Sequence, residues 1–252
     1  VPRTAGGRPD GLAQKIAAIL GQGGKGIKYF VFGPEYTFPG NCYSEKLGLL
    51  GQMAEAHRLV GRAESLLWPG RPLPNTAALL MPRSAFFWDA RGISDATNVR
   101  LNNQTVDYLA EVYNLYLAAM HANLPLDFVE EDQLTRAGLA GIRVLYITEP
   151  NIPAEFQKEL VAWVKQGGIL VSVSGAGRRD RYNDPCPILR RGLGLTDGDR
   201  DRIPVPHLGA LPVVNAVSHT GGVFDAIGAW DSFKSTRGLE VLARFTNEAP
   251  AV

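Results

Sequence analysis

Apolar residues recur at helical spacing in four stretches of this chain and in short β-branched runs between them. Leu12–Leu20 predicts a short helix, ended by the glycine-rich run Gly21–Gly26. Ile27–Phe32 is β-branched and aromatic, which predicts a strand. Leu49, Met53, Ala56, Val60, Ala63 and Leu67 step by four and three, so one long helix is expected from about Ser44 to Leu67. One strand between two helices leaves two backbone edges and two faces unsatisfied, so its partners are expected elsewhere.

The prolines of Trp68–Asn75 mark a boundary. Beyond it, Thr76–Pro82, Leu126–Val129, Ile142–Thr148 and Ile169–Val173 read as buried strands. Between them lie two helices. Val106, Leu109, Ala110, Tyr113, Leu117 and Met120 form the expected core stripe of the first. The second opens with Pro153 and Glu155, buries Phe156, Leu160, Trp163 and Val164, and exits through Gly167 in the left-handed position. Strands alternating with helices argue for a parallel sheet with right-handed crossovers, a flavodoxin-like or class I glutamine amidotransferase-like three-layer domain in an α/β chain. Asp180–Pro206 reads as irregular surface, Leu211–Val217 and Leu239–Phe245 as later strands, and Asn247–Val252 as a turn entering another strand.

Composition narrows the partners. Lys and Arg number 26 against 25 Asp and Glu, without a basic block, so nucleic acid is not an expected partner. No apolar stretch approaches the roughly 20 residues that cross a bilayer, so no membrane partner is expected. The first residues lack the apolar core of a secretory signal, and a start at Val1 fits processing or excerpting from a longer protein. Cys42 and Cys186 stand outside any metal or redox spacing. No pair of His or Cys has zinc-ligand spacing, and the aspartates between Thr196 and Arg202 lack the Gly and closing Glu of a calcium loop, so neither metal nor cofactor is expected. Gly21–Gly26 precedes a strand rather than a helix, which makes it a connecting turn and not a phosphate cradle.

The element order now carries a resemblance. Gly26–Phe32, a long helix, Leu79–Pro82, Tyr108–Tyr113, Leu126–Val129, Val144–Tyr146, Gly167–Val171 and Ser174-Gly175 resemble glycoside hydrolase family 42 from about Leu12 to Val252. These are β-galactosidases with a (β/α)₈ barrel followed by an amidotransferase-like trimerisation domain. The resemblance implies that residues 1–70 are the C-terminal end of a TIM barrel and 75–252 the trimerisation-type domain, cut short at its end. It also implies a carbohydrate substrate, acting through the parent protein, and a homotrimer.

A retaining glycosidase uses two carboxyl groups roughly 5–5.5 Å apart. In the family these close the fourth and seventh barrel strands, which places them before Val1, so no catalytic residue is expected in this chain. Glu35 follows the presumed barrel strand on the side where catalytic residues emerge, yet it also reads as a solvated carboxylate beside Pro34. Phe32, Glu35, Tyr36 and Tyr43, with Phe38, are the candidate sugar contacts, because apolar sugar faces stack on aromatic rings. Barrel or interface packing is the competing reading for the aromatics. The family has Trp where this chain has Phe32, and Glu and His near Gly40 and Tyr43, so galactose selectivity does not follow.

The rival reading makes the second domain catalytic, which requires a nucleophile in a tight strand-to-helix turn. Ser174 stands in such a turn, but Ser172 and Val173 break the Gly-x-Ser-x-Gly frame, Cys186 sits between prolines, and His207 and His219 read as loop residues. Arg178–Arg181 reads as a solvated loop or a charged subunit contact. Two functions stay open: the C-terminal part of a glycosidase, or a non-catalytic oligomerisation module. In either case the excerpt alone is not expected to turn over substrate, and its first seventy residues are expected to pack poorly or against the second domain.

Overall fold

Four short runs of Ala, Leu, Val, Ile and aromatics pair side by side as one sheet in the computed structural model. The structure describes residues 11–29, 47–81, 83–93, 107–173, 175–202, 214–218, 223–226, 229–235, 239–245 and 250. The chain divides into two units, Val1–Leu73 and Pro74–Val252.

In the first unit, α1 (Gly11–Gly21) lies against α2 (Leu47–Arg62), and a short α3 (Glu64–Leu67) follows. Leu12, Ile16 and Ala56 are buried, with Met53, Val60, Ile27 and Tyr29 packed around them. The expected single helix to Leu67 is broken at Ala63, whose φ of −101° and ψ of 4° leave the helical region. Gly23 turns the chain after α1 with a φ of 85°, where a Cβ would meet Pro72 at 2.7 Å. Lys25 Nζ donates to the carbonyls of Leu67 and Gly70 at 2.5 and 2.6 Å, capping the end of α3. Tyr29 Oη and His57 Nε2 are hydrogen-bonded at 2.9 Å. Residues 27–29 of the expected strand Ile27–Phe32 form no strand, because no neighbouring strand among the described residues of this unit offers a ladder; Phe30–Phe32 lie outside the described residues.

In the second unit β1 (Ala77–Met81), β2 (Asp127–Glu130), β3 (Val144–Ile147) and β4 (Ile169–Ser172) form a four-stranded sheet in the order β2-β1-β3-β4, every pair parallel. Parallel neighbours need crossovers, supplied here by α4 (Ser84–Ile93) with α5 (Asp107–His121), and by α6 (Ala154–Lys165). Strand alternation divides the side chains between two faces. Ala78, Leu80, Leu145 and Ile147 face one way and pack with Leu160 of α6, Val129, Leu134 and Leu139 in the main core. Leu79, Phe128 and Tyr146 are cross-strand partners on the other face, where Tyr116 of α5 meets the Phe128 ring at 5.4 Å.

α6 buries the expected side with one residue more, whereas α5 buries a different side from the expected one. In α6, Leu160 is buried and Phe156 and Trp163 pack on the core as expected, but Gln157 is fully buried too. Its Nε2 donates to the carbonyls of Ile152 and Arg179, and its Oε1 accepts from the Leu189 N–H, so one amide staples three segments. In α5 the buried residue is Val112, whereas Tyr113, Leu117 and Met120 of the expected core stripe are exposed. At about 100° per residue the two faces stand roughly a third of a turn apart. The side chains of residues 107–110 are outside the described set.

Of the expected irregular stretch Asp180–Pro206, residues 180–202 are more ordered than their composition suggests, and 203–206 lie outside the described residues. Asp180 Oδ1 accepts from the N–H groups of Tyr182 and Asp184, Ile188–Gly192 forms α7, and Thr196–Arg202 forms β5. β5 pairs antiparallel with β8 (Ala229–Ser235), and β6 (Val214–Ser218) lies between β7 (Val223–Ala226) and β9 (Ala243–Phe245). An isolated antiparallel bridge joins Arg244 and Pro250, while the rest of the expected terminal turn and strand, 247–249 and 251–252, lies outside the described residues.

Leu145 is fully buried at the centre of the sheet. Leu145→Ala is expected to remove about 3 kcal/mol of stability from this unit, read by urea denaturation; a loss under about 0.5 kcal/mol would contradict the placement of the core.

Candidate functional site

Open parallel sheets bind ligands beyond the carboxyl ends of their strands, where successive crossovers leave in opposite directions. In the order β2-β1-β3-β4 that point lies between β1 and β3, since the chain leaves β1 for β2 on one side and β3 for β4 on the other. The helix that starts after β1 is α4, and its free amide groups would attract an anion.

That place is already filled by Glu131, which follows β2 and is 4% exposed. Glu131 Oε1 accepts from the backbone N–H groups of Arg83 and Ser84 at 3.0 and 2.5 Å, and its Oε2 from Ser84 Oγ at 2.6 Å. The carboxylate therefore neutralises the positive helix end from within the fold.

Glu149 is the second buried carboxyl at this end, following β3 and fully excluded from solvent. The Thr148 N–H donates to its Oε2 at 3.2 Å, while Glu149 Oε1 and Thr148 Oγ1 are buried without a hydrogen-bond partner among the described residues. Burial, partly offset by backbone hydrogen bonds and reinforced by the charge of Glu131, pushes the Glu149 carboxyl up to about 8, so it is protonated at neutral pH.

The turn after β4 is held in a different way. Gly175 and Gly177 have φ of 80° and 65°, and the Gly175 N–H donates to Asp231 Oδ2 of β8 at 2.6 Å. Arg178 Nη2 approaches Asp231 Oδ1 at 3.2 Å and Arg190 Nη1 approaches Oδ2 at 3.6 Å. The Arg190 guanidinium also lies 5.1 Å from the centre of the Phe233 ring. Where a hydrolase presents a nucleophile, this turn is tied to a neighbouring strand by a buried ionic cluster. Arg178–Arg181 is accordingly not simply a solvated loop: Arg178 joins this cluster, Arg179 donates to the Asn183 carbonyl, and Arg181 pairs with Glu155.

Of the residues singled out in the sequence, Phe32, Glu35, Tyr36 and Tyr43, with Phe38, Cys42, Ser174, His207 and His219, lie outside the described residues. Cys186 is a buried free thiol whose N–H donates to the Arg178 carbonyl, a structural position. The buried Glu131, Glu149, Gln157 and Asp231 were not singled out. Glu149 carried the readable signal, an acid closing a buried strand directly before Pro150.

At the opposite, amino end of the sheet lies an apolar cavity of about 440 Å³ between β1, β3 and the last turns of α5. Ala118, Ala119, Ala122, Leu124, Val144 and Tyr146 are among its walls. Glu131, Glu149 and Asp231 do not line it.

Two substitutions test this account. Glu149 is protonated in the folded chain between its unfolded value near 4.5 and about 8, so its contribution is fully present below 4.5 and is lost as pH rises through 8. Glu149→Gln should therefore gain on the native chain by an amount that grows from pH 4.5 to 8, to on the order of a few kcal/mol, in denaturation curves across that range; a gap independent of pH would refute the buried protonated state. Asp231→Ala leaves Arg190 buried without its carboxylate and should cost about 3 kcal/mol, whereas an unchanged midpoint would show the cluster to be inert.

No protein-family model and no curated protein matches this sequence. Solved structures do. Gan42B, a family 42 β-galactosidase from G. stearothermophilus, superimposes with a TM-score of 0.69 at 16% identity over 97% of this chain and 35% of its own. A β-galactosidase from Bacillus circulans sp. alkalophilus gives 0.66 at 16% identity over 89% and 34%, and one from Rahnella sp. R3 gives 0.52 at 17% over 78% and 29%. The chain spans about a third of the length of these structures. Its α/β fold, with the four-stranded parallel sheet, is similar to part of a family 42 β-galactosidase.

Proposed function

We propose that this chain is the C-terminal part of a β-galactosidase-like glycoside hydrolase of carbohydrate metabolism. On this reading the first unit is the end of a (β/α)₈ barrel, and the second is an amidotransferase-like three-layer domain that serves assembly into a trimer rather than catalysis. The observation that carries the reading is the similarity to family 42 structures across 97% of the chain. The self-filled switch point supports the division of labour: Glu131 occupies the anion position of α4, and the turn after β4 is committed to Asp231. Phe32, Glu35, Tyr36 and Tyr43 are the proposed sugar contacts, the rings covering an apolar sugar face and the carboxylate accepting from a hydroxyl.

The full-length protein carrying this chain should hydrolyse p-nitrophenyl β-D-galactopyranoside or a related β-glycoside with retention of configuration, and residues 1–252 alone should not. Tyr36→Ala in the full-length protein should raise KM roughly tenfold, the loss of one stacking ring. Absence of hydrolysis across a panel of β-galactosides, β-glucosides and β-mannosides would defeat the glycosidase reading and leave the second unit as a non-catalytic interaction module.

A further inference from the structure

α5 has two apolar faces, and the sheet uses one of them. Val112 is buried and Tyr116 meets Phe128, whereas Tyr113, Leu117, Met120 and, just past the helix end, Leu124 are 61, 51, 52 and 57% exposed. At about 100° per residue the first three fall within one narrow stripe, and Leu124 follows the left-handed turn at Asn123. From Val112 to Leu126 the sequence contains no Lys, Arg, Asp or Glu, and the charge complementarity of such a surface is with another uncharged one. A solvent-facing helix normally carries charges on its outer face. Loss of charge with enrichment in Tyr and Met is instead the composition of an interface core.

The same helix borders the apolar cavity, whose walls include the small residues Ala118, Ala119 and Ala122. One molecule thus offers a row of large apolar side chains and, close by, a recess edged by small ones. Protrusion meeting recess is a contact between two different patches of identical chains, the kind that closes into a ring when its rotation allows.

We propose that the outer stripe of α5 packs against a second copy of this chain, with Leu117 and Met120 of one copy entering the neighbour's cavity beside α5. This inference rests on the assembly role proposed above and names its surface. Five side chains about half exposed, the stripe and Phe128, present roughly 500 Å². A stable interface buries about 800 Å² per partner, so the stripe supplies the centre and the exposed Asn114, His121 and Asn123 a polar rim.

The test is the solution mass of this 27.3 kDa chain by light scattering at about 100 μM, with far-UV circular dichroism as the folding control. The native chain should have the mass of a multiple of one chain, and Leu117→Glu or Ala118→Phe should lower the association constant at least tenfold. Phe87→Ser, which removes another exposed apolar side chain on α4, should leave association unchanged. Where Leu117→Glu does not fold, a mixture of Met120→Cys and Ala122→Cys chains serves instead: a short bismaleimide should join the protruding position of one to the cavity position of the other, in yields that the native chain does not give. An oligomer that withstands Leu117→Glu and Ala118→Phe, or shows no linkage between Met120→Cys and Ala122→Cys, overturns this surface and leaves the assembly role standing. A native chain that stays monomeric overturns both.

Discussion

A parallel sheet cannot be closed by hairpins, and this requirement governs the second unit. Each return to a parallel neighbour costs a crossover, each crossover deposits a helix on a face, and each covered face becomes core. The face carrying Leu80, Leu145 and Ile147 is covered by α6 and the loops that Gln157 ties together. The face carrying Leu79 and Tyr146 is covered by α5 incompletely, so Ile169 and Val171 of β4 stay exposed beside a cavity. The two faces are covered unequally, and the second leaves apolar side chains exposed.

Crossovers in opposite directions also create the place where such sheets hold ligands, and here the chain has filled it with its own side chains. Glu131 occupies the amide groups that begin α4, and Asp231 binds the turn that ends β4. Both interactions use geometry suited to a substrate anion, and both consume it.

Much of this fold was legible in the sequence because its strands are short apolar runs bounded by Gly and Pro. Ala77–Met81, Asp127–Glu130, Val144–Ile147 and Ile169–Ser172 fall where those runs predict them, and α6 ends at Gly167, whose φ of 103° is the left-handed exit. Periodicity failed for α5 because two apolar stripes share one helix, and a stripe does not reveal which side meets the sheet. β5 was missed because Thr-Asp-Gly-Asp-Arg-Asp-Arg has the composition of a loop, yet it is held by pairing with β8. Glu131, Asp231 and Gln157 escaped notice since their partners are remote in sequence: Ser84 lies 47 residues from Glu131, and Gly175 lies 56 from Asp231. The expected strand Ile27–Phe32 needed a ladder partner that the described residues of the first unit do not contain.

The Gly175–Asp231 bond has a kinetic meaning as well. Closing a loop of 56 residues carries an entropic cost before the contact returns anything, but β1 and β3 pair across a longer span, from Ala77 to Val144, so chain order and not loop length sets Asp231 apart: every strand of the parallel layer precedes it. Arg178 and Arg190 must stay hydrated until β8 has been synthesised and has docked. All four parallel strands precede Asp231 in the chain, so the ladder that carries it is the last part needed to complete the carboxylate's cluster with the two guanidinium groups.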